Sequence, residues 1–100
     1  LFADIKQQQQ RRFDMSNYKE QKKEWLASNP LRQWRKESKL VLDDVGTAIG
    51  VGYHMVYQWE NGMSEPKKEH MNKLSKLMNI VNLQEKYQEW MQKRPILGKE

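Results

Sequence analysis

Leu40-Val-Leu-Asp-Asp-Val-Gly-Thr-Ala-Ile-Gly50-Val-Gly-Tyr-His-Met-Val-Tyr-Gln-Trp-Glu-Asn-Gly62 is the stretch whose reading sets the architecture. Within it Leu42, Val45 and Ile49 fall at i, i+3 and i+7, the apolar stripe of a short amphipathic helix. Asp43 and Asp44 stand at the start of that helix, where carboxylates complement the dipole. Gly50 stops it, since glycine takes the positive φ of a helix terminus without steric cost. A second helix is predicted over 53–61, with Val51, Met55 or Val56, and Trp59 turned inward, and Asn61-Gly62 closing it. Small residues at Gly46 and Ala48 allow the two helices to cross closely.

Outward from this pair, the pattern stays helical. Pro30 suits the first turn of an upstream helix, where its missing N–H costs nothing, and Leu31, Trp34 and Arg35 recur at helical spacing as far as Ser38-Lys39. Ahead of Pro30, Asn17 and Glu20 have capping-box spacing, and Tyr18, Trp25 and Leu26 fall near one face of a helix ended by Ser28-Asn29-Pro30. Downstream, Pro66 is expected to open a helix with Met71, Leu74, Leu77 and Met78 inside. Asn82 and Glu85 repeat the capping-box spacing before Leu83, Tyr87, Trp90 and Met91. No alternating run supports a strand. The fold class is therefore all-α, with Val45, Ala48, Ile49, Val56, Trp59, Leu74 and Leu77 expected in a common core.

Composition narrows the function classes. One hundred residues, 37% of them hydrophobic, suffice for one small core, while the mean hydropathy of -1.06 requires much of the chain to be solvated. Without cysteine there is neither a disulfide framework nor a thiolate zinc site, and His54 and His70 do not suggest a metal site. No apolar run approaches the roughly 20 residues of a membrane span. The expected location is the cytoplasm. The net charge of +5 favours polyanionic partners, although it means little until a fold says where it points. No Ser/His/Asp set, phosphate-cradling glycine loop or carboxylate pair facing a cleft is in register, so neither an enzyme nor a cofactor is expected.

The helix from Tyr53 carries Gly52, Tyr53, His54, Tyr57 and Gln58 on its outer side. A short helix with hydrogen-bonding side chains fits the roughly 12 Å width of a DNA major groove. The register resembles the phage repressor/Cro type of helix-turn-helix, the XRE family, which is also a general worked example of groove docking. The resemblance rests on Leu31 to Lys36, Leu40-x-x-Asp-Asp-Val-Gly46, Ile49-Gly50-Val51, Val56-x-x-Trp59-Glu60-Asn61-Gly62 and Pro66, and covers about half the chain. It implies a compact four- to five-helix repressor-like domain with an additional N-terminal helix. The expected organisation is an N-terminal extension over 1–29, the helix-turn-helix domain over 30–80, and a C-terminal helix and tail over 81–100. The extension holds a helix over 17–28. Residues 1–14 are either a leader or tag ahead of a start at Met15, or native chain.

The same resemblance implies a sequence-specific transcriptional regulator, phage- or plasmid-like, binding a two-fold operator in double-stranded DNA as a homodimer. Tyr53, His54, Tyr57 and Gln58 match base-reading positions, and Asn61, Lys67, Lys68 and Arg35 match phosphate contacts. Arg35 and Glu60 match a pair tying the first helix of the motif to the end of its last. Gly46 stands for a usual alanine, at a cost of up to ~1 kcal/mol in a helix interior. Three further departures thin the polar surface: Val41 at a capping position, Leu42 at a polar one, and Gly52 for a usual hydroxyl residue. They feed an alternative. On that reading the fold is a protein-interaction module, an inhibitor of a transcription or defence complex or an antitoxin, meeting a protein partner through its N-terminal or C-terminal helix.

Overall fold

Six helices follow one another in the computed structural model, which describes residues 15–96, with side chains from Asn17 onward. They are α1 (Met15–Ala27), α2 (Pro30–Glu37), α3 (Leu42–Ile49), α4 (Tyr53–Glu60), α5 (Lys68–Met78) and α6 (Leu83–Gln92). No strand occurs among the described residues. The expectation for residues 1–14 lies outside them.

Every helix contributes to one core of Trp25, Leu31, Val45, Ile49, Val56, Trp59, Met71, Leu74, Met78, Leu83, Tyr87 and Trp90. Two expected members are absent. Ala48 is exposed and Leu77 is 37% exposed. In α5 the buried residues are Met71, Leu74 and Met78, so the stripe drifts past Leu77. In α3, Val45, Gly46 and Ile49 are buried, and the small residue at the close approach is Gly46 rather than Ala48.

Gly46 is where the turn of the motif folds back. Its carbonyl accepts the N–H of both Gly50 and Val51 at 2.8 Å, and Gly50 takes φ 84° as expected. A Cβ on Gly46 would lie 2.6 Å from the Val51 carbonyl oxygen, a backbone atom that cannot step aside alone. The helix-propensity cost of glycine, up to ~1 kcal/mol, is therefore outweighed by the clash that alanine would bring. Gly46→Ala should lower stability by about 1–3 kcal/mol, the range of overpacking, in urea unfolding. An unchanged or raised midpoint would show that the turn can relax.

Two helix starts differ from expectation, and the caps of α5 and α6 lack a side-chain bond. Helix α1 begins at Met15, so Asn17 lies within it and is not its cap. Pro66 is buried but precedes α5 by two residues, and Lys67 holds the N-cap position without a side-chain bond. Asn82 holds the N-cap position of α6 as expected, but its side chain makes no cap bond. At α3 the valine cap contributes no side-chain bond, as expected. Asp44 Oδ2 nonetheless accepts the Val41 N–H at 2.9 Å, half of a capping box.

Helices α1 and α6 are joined by a tryptophan pair. Trp25 and Trp90 stack with ring centroids 4.0 Å apart and planes parallel. Each indole N–H donates to the other residue's backbone carbonyl at 2.6 Å. Buried indole nitrogens need acceptors, and here each finds one on the partner helix. Trp90, together with fully buried Tyr87, thus faces the core and α1.

Candidate nucleic-acid interface

The C-terminal end of α4 is tied down at three points. Glu60, 2% exposed, receives a forked contact from Arg35, with Nε to Oε2 at 2.6 Å and Nη2 to Oε1 at 2.9 Å. A third guanidinium donor, Nη1, reaches the Leu40 carbonyl at 3.0 Å. The hydrogen bond to Glu60, opposed by burial and aided by the nearby charge, holds the Arg35 pKa above its ordinary value. One guanidinium thereby links the end of α2, the approach to α3 and the end of α4.

Asn29 supplies the second tie. It is fully buried; its Oδ1 accepts the Leu31 N–H at 2.8 Å, capping α2. Its Nδ2 donates to the carbonyls of Trp59 and Glu60 at 3.2 and 2.9 Å. Terminal carbonyls of a helix have no intrahelical partner, so this one amide satisfies the start of α2 and the end of α4 together. Tyr87 is the third, with its hydroxyl 2.7 Å from the Trp59 carbonyl oxygen. Burial, reinforced by the charge of Glu65 and opposed by Arg94, raises the phenol pKa well above its ordinary value, so the group stays a donor.

Anchored at this end, α4 buries Val56, Trp59 and Glu60 and leaves Tyr53, His54 and Tyr57 exposed. Gln58, one turn beyond His54, is half-buried. Tyr53 and His54 meet edge to face with centroids 5.4 Å apart. Gly52 caps the helix start with extended backbone and no side-chain bond. Asn61 lies just past the helix as its cap, so the helix stops one residue short of the expected 61; its Nδ2 donates to the Tyr57 carbonyl at 2.8 Å. Exposed Lys67 and Lys68 stand at the start of α5.

A helix-turn-helix family model matches residues 31–86, more than half of the chain. The chain belongs to that family, of the phage repressor/Cro type. In this general sense it is a DNA-binding regulatory protein, and the family is regulatory rather than enzymatic. No curated protein and no solved structure matches it. No described helix is long and apolar enough to cross a membrane.

Within this helix-turn-helix protein the expected residues divide into three groups, one of them Lys67 and Lys68 at the start of α5. Tyr53, His54, Tyr57 and Gln58 share α4 and succeed one another along it, and Asn61 continues the series. Arg35 is different: three of its donors are engaged inside the protein and its side chain is 13% exposed, so its first role is to orient α4. Asn29 escaped the sequence reading except as part of a helix break. Asparagine directly before a proline at a helix start is a capping signal, but its second reach, to α4, depends on tertiary packing.

Proposed function

We propose that the protein is a sequence-specific transcriptional regulator, phage- or plasmid-like, that inserts α4 into the major groove of a two-fold operator. The observation carrying this reading is the contrast along α4. One side and the C-terminal end are locked by Trp59, Glu60, Asn29 and Tyr87, while Tyr53, His54 and Tyr57 stand free beside Gln58. Base reading demands that combination, because side chains discriminate base edges only when the helix bearing them is held still. Tyr53, His54, Tyr57 and Gln58 read bases; Asn61, Lys67 and Lys68 fix the backbone, with Arg35 behind them.

Dimerisation belongs to the same proposal, since a two-fold operator is met by a two-fold protein. It is supported by Val81, 99% exposed between α5 and α6, with Leu77 and half-buried Ile80 nearby in the chain. The site of action is the cytoplasm. The interaction-module reading, which needs the N-terminal or C-terminal helix to meet a partner, is weakened because Trp25 and Trp90 of those helices are buried against each other.

Gln58→Ala should cost about 1–3 kcal/mol on the best operator and much less on unrelated duplex, relaxing preference at one base pair. The test is a matrix of Gln58→Ala and His54→Ala against single-base variants of the operator. Equal losses on every sequence would make both residues backbone contacts. No loss at all would turn this helix towards a protein partner.

A further inference from the structure

Tyr18, Lys22 and Arg94 lie outside the segment that matches the family, yet the fold brings all three to the end of α4. They line a pocket of about 160 Å³ together with Trp25 and Asn61. We propose that this pocket seats a phosphate of the DNA backbone, extending the interface beyond the helix-turn-helix itself; the inference rests on the DNA-binding reading above.

Three observations carry it. The first is the chemistry of the wall: its polar side chains are two cations, a phenol and an amide, set among Trp25, Met63 and Pro95, with no carboxylate among the lining residues. Two other pockets differ, since the one on α6 brings Glu85 and Glu89 and another beside Trp25 brings Glu24. Among the described residues neither cation has a carboxylate within 4.0 Å, the ion pair there being Arg35–Glu60.

The second observation is that the site is held in place. The Trp25–Trp90 stack fixes the turn of α1 that bears Lys22, three residues ahead of Trp25. Arg94 lies over the Trp25 ring at 5.0 Å and donates to the Gly62 carbonyl. A guanidinium has five N–H donors, so the rest remain for a ligand. A pinned, planar donor set suits a phosphate better than a free surface lysine does.

The third is continuity. Asn61 caps α4 and lines the pocket, so a duplex lying along Tyr53, His54, Tyr57 and Gln58 brings its backbone to this end of the helix. The backbone N–H groups of Asn61, Gly62 and Met63 are already bonded to Tyr57, Trp59 and Gln58 carbonyls. Anion binding here is therefore the work of side chains, principally Lys22 and Arg94.

The experiment compares the salt dependence of duplex binding for the full chain, Lys22→Ala, and Lys23→Ala. Lys23 is exposed on the same helix but does not line the pocket. Losing one phosphate contact removes about 0.9 from the slope of log K against log salt. Lys22→Ala should then bind about eightfold more weakly at 0.1 M salt, on operator and unrelated duplex alike, with the gap closing towards 1 M. Lys23→Ala should keep the parental slope, and both variants should keep the parental urea midpoint. Parental slope in Lys22→Ala, or equal slope changes in both variants, overturns the pocket while leaving base reading by α4 intact. If the unaltered protein shows no salt-dependent duplex binding at all, the pocket and the DNA-binding reading fall together.

Discussion

Arg35→Met should cost about 3–5 kcal/mol of stability, because it leaves the Glu60 carboxylate buried without a cation. Glu60 is 2% exposed and draws its charge partner from Arg35 alone among the described residues. The Leu40 carbonyl loses its guanidinium donor at the same time. Glu60→Gln keeps the shape and one acceptor, so its cost should be smaller, on the order of 1–2 kcal/mol. Replacing both residues by Met should recover much of the loss of Arg35→Met, since the desolvated charge then disappears with its partner. Urea unfolding of the single and double variants reads all three values. Equal costs for Arg35→Met and Glu60→Gln would mean that water reaches Glu60 and that the pair orients α4 less firmly than its geometry indicates.

Trp90→Ala should be as damaging, at about 3–5 kcal/mol, the usual range for a buried tryptophan. Its effect should also be uneven. Residues 19–24 of α1 are exposed throughout, so Trp25 is the fully buried anchor of that helix among the residues whose side chains are described. Without Trp90 the Trp25 ring loses its stacking partner, and the Trp25 carbonyl loses a donor. Amide exchange in α1 should therefore accelerate well beyond that in α3 and α4, which do not depend on the stack. Trp90→Phe keeps a ring but not the N–H, and should fall between the two. Uniform acceleration across all helices would contradict the anchoring role of the pair.

The parts of this fold that were legible in the sequence were those fixed locally. Gly50 marked the turn because its backbone conformation is a local demand, and it adopts φ 84°. Leu42, Val45 and Ile49 gave the inward face of α3 by spacing alone, and Val56 and Trp59 did the same for α4. Arg35 and Glu60 came from family register, and their contact at 2.6 Å agrees. What failed depended on neighbours distant in sequence. Leu77 has the right chemistry for the core, but α5 turns Met78 inward instead. Gly46 reads in sequence as one of two small residues at a helix crossing, and the path of Val51 over it shows why a side chain cannot fit there while Ala48 is exposed. The capping spacing at Asn82 located the start of α6 without forming a side-chain bond, whereas the one at Asn17 falls inside α1, since such spacing permits a cap without requiring one.

For the interface, sequence register supplied Tyr53, His54, Tyr57 and Gln58 on one helix. It could not supply the network holding that helix, because Asn29 and Tyr87 reach α4 across separations of about thirty residues. Nor could it join Lys22 to Arg94, which line one pocket beside a stack of two tryptophans 65 residues apart.

The most direct test of the central claim is selection of binding sites from randomised duplex DNA by the full chain. Enrichment of a two-fold sequence, with half-sites about one helical turn apart and roughly 34–36 Å between centres, is the predicted result. Recovery of unenriched sequence at every salt concentration would contradict it, and would mean that the outward face of α4 does not read DNA.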